Sequence, residues 1–181
     1  MTREDAGADM PLTTILREWL ELKEWADPVE IDRDRMHSQV STHYGINGQD
    51  YRLYFDIDEK DRLVTVTIYS FFNVPVSRMN EIASVLNRIN TRIVVGKFSC
   101  LDDEKPHPVR FTVAFDFEGG DLSTGLIQNM INAAGGAMDR YGALLVSTAL
   151  TKLSVEAVWE DFVDGVEEQS RGSESVARSL H

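Results

Sequence analysis

Apolar side chains recur along this chain with two spacings, one helical and one extended. Near the start, Leu12, Leu16 and Trp19 lie three or four residues apart, as on one helix face, and Asp27-Pro28 ends this run. Farther on, apolar residues occupy every second position, which is typical of strands with one buried face. The change of spacing predicts a helix followed by a sheet.

Three alternating runs predict an antiparallel meander. The first ends at Asn47-Gly48, the dipeptide best suited to a two-residue turn with positive φ at both positions. In the second, Leu53 and Phe55 share one face while Arg52 and Tyr54 share the other. The third run is RLVTVTIYSFF, rich in β-branched and aromatic residues. Each strand therefore has one apolar and one mixed face.

The second half of the chain predicts more helix and one more hairpin. Apolar residues between Met79 and Ile89 form a helical stripe, and two β-type runs, VVGKFSCL and VRFTVAFDF, are separated by DDEKPHP. Asp121 and Ser123 can cap a third helix, in which Gly135-Gly136 either causes a break or permits close backbone approach. The pattern predicts an α+β fold with a single antiparallel five-stranded sheet, in the order helix, three strands, helix, two strands, helix or helices.

The 181 residues fit one domain of ordinary size. We expect a flexible lead over residues 1–10, a single domain over residues 11–163, and a disordered polar tail over residues 164–181.

Two segments carry a resemblance to a known family. The stretch from Val85 to Phe98, VLNRINTRIVVGKF, and the later stretch AMDRYGALLVSTALTKLSVEAV resemble the YbjN family. The resemblance implies a bacterial cytoplasmic protein with a type III secretion chaperone-like fold, often described as a regulator of sensory transduction. It carries over no catalytic residue. The matching positions are Asn87, Asn90, Gly96, Lys97 and Phe98.

These five positions are interpreted as structural. The Asn90 amide can satisfy backbone groups at the helix end, Gly96 can permit a bulge or close packing, and Phe98 can fill the core.

Charge and composition restrict the partners. The net charge of -12 disfavours nucleic acid and anionic membranes, and favours basic or neutral partners. The single cysteine, Cys100, excludes an intrachain disulfide. The acidic N-terminus is unlike a signal peptide, and no window approaches the ~20 apolar residues of a membrane span. We expect a soluble, cytoplasmic protein.

Candidate reactive residues do not assemble into a recognisable catalytic or metal site. His37 and His43 share a strand face but lie roughly 20 Å apart at 3.3 Å per residue, too far to share a metal ion. Glu30, Asp32 and Asp34 alternate as in a calcium loop but lack its glycine and distal glutamate. Cys100 lies on the same strand face as Phe98, so we expect it to point inward and to be a poor nucleophile. We expect no catalytic residue, no metal and no cofactor.

One feature favours binding: the face of the meander opposite the core carries Arg52, Tyr54, Tyr69 and Phe71. Either helices cover both faces of the sheet, or these residues form a dimer seam or a groove for a partner. We expect a non-enzymatic, homodimeric protein-binding module, a chaperone-like or regulatory adaptor whose protein partner is unidentified. The alternative is a small-molecule sensor or enzyme with a pocket between the third helix and the sheet.

Overall fold

The computed structural model describes residues 10–101, 105–118 and 120–165. Its elements follow in the order α1 (Pro11–Leu22), β1 (Glu30–Asp32), β2 (His37–Ile46), β3 (Gln49–Asp58), β4 (Leu63–Asn73), α2 (Met79–Asn90), β5 (Lys97–Ser99), β6 (Pro108–Asp116), α3 (Thr124–Leu150) and α4 (residues 155–165). A 3-10 turn, Val76–Arg78, leads into α2. The predicted α+β class with one antiparallel sheet is confirmed.

The sheet of the described residues has six strands, in the spatial order β1-β2-β3-β4-β6-β5. The prediction of five strands is wrong because the sequence pattern does not reveal β1, so four strands precede α2. β1 has three residues, and Glu30 and Asp32 are exposed, so it lacks the apolar alternation of the other strands. Its pairing with β2 defines it, with Ile31 opposite Ser38. The predicted chaperone-like geometry stays a prediction.

The inner face of the sheet, defined as the face that the helices cover, carries the core. Its fully buried strand residues include Leu53, Phe55, Ile57, Val66, Ile68, Val109, Phe111 and Val113. α3 packs on β4 and β6 and contacts both α1 and α2. Because side chains alternate along a strand, the residues between these core positions point away from the helices that the structure describes.

The start of α1 is capped by a residue distant in sequence. The N-cap, Met10, provides no side-chain bond. Instead the buried Glu59 carboxylate accepts from the backbone N–H of Thr13 at 2.7 Å, of Leu12 at 3.2 Å, and from the Thr13 hydroxyl at 2.9 Å. A negative charge at a helix N-terminus satisfies unpaired N–H groups and opposes the helix dipole. The turn after β3 therefore anchors α1.

The glycine pair does not break α3, which runs unbroken for 27 residues from the Ser123 cap. A Cβ at Gly135 would lie 2.9 Å from Cε1 of Tyr44, whereas a Cβ at Gly136 would meet nothing within 4 Å. Of the two readings left open by the sequence, close approach at Gly135 is the correct one.

The ends of the expected domain fall partly outside the described residues. Met10, expected in a flexible lead, is buried, and residues 164 and 165, expected in a disordered tail, are helical. The rest of both predicted segments, residues 1–9 and 166–181, lies outside the described part of the chain. Among the described helices, none combines the length and apolar character needed to cross a membrane.

Candidate functional site

The face of the sheet opposite the helices, called the outer face below, brings together three of the four predicted binding residues. The rings of Tyr54 on β3 and Tyr69 on β4 meet edge to face, with centroids 5.4 Å apart. The Arg52 guanidinium lies beside them, with Nη1 3.4 Å from the Tyr54 hydroxyl oxygen. Arg52 is exposed and both tyrosines are half-buried, although no described helix packs over them.

A groove of about 740 Å³ runs along this outer face. Its lining includes Gln39, His43, Asp50, Arg52, Tyr54, Asp56, Thr65, Thr67, Tyr69, Ser70, Phe71, Asn73, Lys105, Pro106 and Pro108. Aromatic rings, hydroxyls and charges of both signs are therefore within reach of one bound molecule. The volume is within the range of about 300–1,000 Å³ that is usual for ligand sites.

The fourth predicted residue, Phe71, lies at the border of the groove. β4 contains a bulge, because Tyr69 pairs with Arg110 but Asn73 pairs with Pro108. The Ser70 hydroxyl stabilises the bulge by donating to the Phe72 carbonyl at 2.6 Å. As a result, the Phe71 ring turns from the regular outer face to pack edge to face on Tyr51. The alternation of strand residues could not reveal this displacement.

Both strand histidines are paired with aspartates of β3. His37 Nε2 lies 3.0 Å from Asp56 Oδ2, and His43 Nδ1 lies 2.6 Å from Asp50 Oδ2. In the described part of the chain, no group of three or more His, Cys, Asp or Glu side chains could hold a metal ion. Strand parity places His43 and Asp56 on the outer face as well, so the groove's polar lining was partly visible in the sequence.

The linking segment between α2 and β5 makes close structural contacts. The Asn90 amide donates to the Phe98 carbonyl at 3.0 Å and accepts from the Phe98 N–H at 2.8 Å, so it pairs with β5 as a strand would. Gly96 has φ +83, and a Cβ there would lie 2.6 Å from the Phe111 ring. Phe98 is buried, whereas Asn87 and Lys97 are exposed. These contacts support the structural interpretation of Asn90, Gly96 and Phe98.

Cys100 is half-buried at the end of β5. Its sulfur lies 3.9 Å from the Met79 sulfur and 3.9 Å from the His107 carbonyl oxygen. The sulfur packs against the core, in agreement with its parity.

A second, smaller depression of about 260 Å³ lies between α3 and the β2–β3 end of the sheet. Tyr51 and Asp139 line it, and the Asn47 side-chain amide donates to the Asp139 carboxylate. Burial raises the pKa of the Tyr51 hydroxyl above its usual value of 10.0, and the negative charge of Asp139 raises it further. This position corresponds to the pocket that the alternative hypothesis expects.

The fold defines a class of single-sheet α+β proteins: in the part of the chain that the structure describes, helices cover one face of an antiparallel sheet and not the other. The sequence matches the model of the YbjN family, described as "Putative bacterial sensory transduction regulator", over residues 13–146. The chain therefore belongs to the YbjN family, whose description supports a regulatory or sensory-transduction role.

A solved structure shares this fold. It is the crystal structure of YbjN, described as "a putative transcription regulator from E. coli", with a TM-score of 0.50 and 14% sequence identity. The match covers 73% of this chain and 91% of the E. coli chain. At this identity the similarity supports the fold alone. No curated protein matches the sequence.

Proposed function

We propose that this protein is a non-enzymatic, chaperone-like regulatory adaptor of the bacterial cytoplasm that captures a segment of a partner protein on the outer face. The observation that carries the proposal is the edge-to-face pair Tyr54 and Tyr69 beside Arg52, on a face that no described helix covers. Tyrosine and arginine side chains dominate the energetics of protein interfaces.

The groove supports a segment as the occupant. It extends over strands β2, β3 and β4 and reaches Pro106 and Pro108 beyond them. Its hydroxyl groups, among them those of Thr65 and Thr67 on β4, offer donors and acceptors to a peptide backbone. The aromatic rings offer apolar contact to side chains, so both parts of a peptide have partners here.

Site-specific photocrosslinking in cells tests the proposal. A photoreactive amino acid replaces Thr67 in the middle of the outer face, and in a matched control it replaces exposed Lys152, beyond the end of α3. We expect a discrete, stoichiometric protein adduct from position 67, lost when Tyr54→Ala and Tyr69→Ala are combined. Absence of an adduct at position 67, or equal adducts at both positions, would contradict the proposal.

The alternative, a small-molecule sensor or enzyme, places its ligand between α3 and the sheet. The depression there, at about 260 Å³, lies below the usual range of about 300–1,000 Å³ for small-molecule sites. A thermal-shift screen against metabolites separates the hypotheses, because a ligand at 100 times its Kd adds about 2.7 kcal/mol of stability. A hit whose effect disappears in Gly142→Leu, which fills this depression, would favour the alternative.

We also propose that the protein forms a homodimer. A second copy of the chain is the alternative occupant of the outer face, since a specific interface needs about 800 Å² from each partner and is enriched in aromatic and arginine residues. Light scattering over a range of protein concentrations measures the oligomeric state. A dimer that dissociates in Tyr54→Ala/Tyr69→Ala would place the seam here, whereas a strict monomer at high concentration would contradict the dimer.

A further inference from the structure

The strand register orders the outer-face side chains into rows that cross the sheet. Pairing across β2, β3, β4, β6 and β5 makes one row from successive Cα partners, His43, Arg52, Tyr69, Arg110 and Ser99. Lys97 lies on the adjacent row, two residues along β5, and Lys105 lines the groove beyond. This end of the outer face, called the basic row, concentrates cations in a protein whose net charge is -12.

The opposite end of the outer face carries carboxylates. Pairing across β1, β2, β3, β4 and β6 makes a second row, Asp32, His37, Asp58, Leu63 and Asp116. Glu30 and Asp56 lie on the row beside it. This end is called the acidic row. Along β3, Asp58 lies six positions after Arg52, so the two rows lie about 20 Å apart at 3.3 Å per residue.

Side-chain contacts offset only part of this arrangement. Asp32 pairs with Arg35 at 3.4 Å, whereas Asp50 and Asp56 have histidines, His43 and His37, within hydrogen-bond distance. In the described residues, Arg52 forms no ion pair, and Asp58 and Asp116 accept only from backbone N–H groups of nearby turns. The Arg110 guanidinium donates to the Ser99 hydroxyl at 3.1 Å. Arg52 at one end, and Asp58 and Asp116 at the other, therefore present opposite charges to a molecule that lies between them.

We infer that the segment bound on the outer face is bipolar, with acidic residues at the end over the basic row and basic residues at the end over the acidic row. An apolar or aromatic residue lies between them, in contact with Tyr54 and Tyr69. This inference rests on the proposed function and names the chemistry of its partner. A span of about 20 Å corresponds to about six extended residues or about 13 helical ones.

The inference differs from what net charge alone suggests. A charge of -12 attracts basic partners at a distance. At contact range the local charges decide, because an acidic group over Arg52 gains a charge-assisted hydrogen bond and a basic group there meets repulsion. A purely basic segment would therefore fit only one end of the groove.

Selection from a random 16-residue peptide library displayed on phage tests the inference on the full-length protein. We expect enriched peptides to carry Asp or Glu at one end, Lys or Arg at the other, and an aromatic or aliphatic residue between. Selection on Arg52→Glu should lose the acidic preference but keep the basic one, and selection on Asp58→Lys should do the reverse. Enriched peptides that are uniformly basic, or that show no charge pattern, would overturn the inference while leaving the proposed function intact. Failure to enrich any peptide would overturn both.

A synthetic copy of the most enriched peptide gives the quantitative test by fluorescence anisotropy. We expect Arg52→Glu to weaken binding by about tenfold or more, and Arg52→Lys by much less, since it keeps the charge. Lys152→Glu, on the helix side, makes the same change in net charge and should leave the affinity unchanged. Circular dichroism confirms that each variant is folded. Equal weakening by Arg52→Glu and Lys152→Glu would show that net charge, not the basic row, determines binding.

Discussion

The two faces of the sheet are built by the same strands but have opposite environments. Phe55 and Tyr54 are neighbours on β3, yet Phe55 is fully buried against Trp19, with ring centroids 5.6 Å apart, while Tyr54 lines an open groove. The inner face has helices α1, α2 and α3 against it, and in the described residues no helix packs on the outer face. One period-two pattern therefore encodes both the core and the proposed binding surface.

The largest expected difference between the faces is in how much a substitution lowers the stability of the protein. Phe55→Ala should lower the free energy of unfolding by about 3–5 kcal/mol, because it removes a buried ring and leaves a cavity. Tyr54→Ala, one residue away, should cost about 1 kcal/mol or less, since it loses one aromatic pair at a surface. Urea denaturation of both variants measures the difference. Equal losses would mean that another molecule buries the outer face, which denaturation at several protein concentrations would detect.

A smaller loss of stability is expected when the contact between Glu59 and the start of α1 is weakened. Glu59→Gln keeps the size of the side chain but removes the charge and one of the two acceptor oxygens that cap the helix. Bonds to a charged group contribute about 1.5–3 kcal/mol, so we expect a loss of about 2 kcal/mol by urea denaturation. Glu18→Gln, exposed on the same helix, is the control and should change little. A loss as large for Glu18→Gln would contradict the role of Glu59 as the cap.

Alanine substitutions at the two glycines of α3 should change stability in opposite directions. Gly136→Ala should raise stability by up to about 1 kcal/mol, because alanine favours helix and its Cβ meets open space. Gly135→Ala should lose that gain or destabilise the protein, since its Cβ would lie 2.9 Å from the Tyr44 ring. Thermal melts of the two variants compare them directly. A stabilising Gly135→Ala would mean that Tyr44 moves aside readily.

The smallest expected effect is a dependence of stability on alkaline pH, which arises from Tyr51 at the border between the two faces. The pKa of Tyr51 is raised in the folded protein, so the folded state holds this proton more tightly than the unfolded state. Its contribution to stability is complete below about pH 10 and is lost as the pH rises through the raised folded pKa. Tyr51→Phe should remove this part of the decline, and Asp139→Asn should reduce it. Unfolding curves between pH 9 and 11.5 provide the measurement; an identical slope in Tyr51→Phe would contradict this assignment.

The sequence predicted the strand faces well because alternation is a local property. Asn47 and Gly48 adopt φ 50 and φ 75, and Ile46 pairs with Gln49, so the hairpin and its register follow from a single dipeptide. The placement of Arg52, Tyr54 and Tyr69 on one face follows from parity within β3 and β4. The third helix and its Ser123 cap were likewise visible in the residues.

Other features depend on residues that are far apart in sequence. β1 is a strand only because β2 pairs with it, and Glu59 caps α1 from 47 and 46 residues away. The bulge that turns Phe71 towards Tyr51 arises because the register between β4 and β6 shifts between Tyr69 and Asn73. Local patterns contain no information on such pairing, so sequence reasoning could not find these features.

Three features follow from the sequence alone: the family, the α+β class, and which residues of each strand face the core. They depend on motifs and on the spacing of neighbouring side chains. Two others require the three-dimensional structure: the open outer face of the described residues, and the separation of its charges into a basic row and an acidic row. β4 pairs with β6 across an intervening helix and strand, and this long-range register alone brings Arg110 beside Tyr69 and Asp116 beside Leu63. The charged residues form one surface only because strand pairing aligns the strands that carry them.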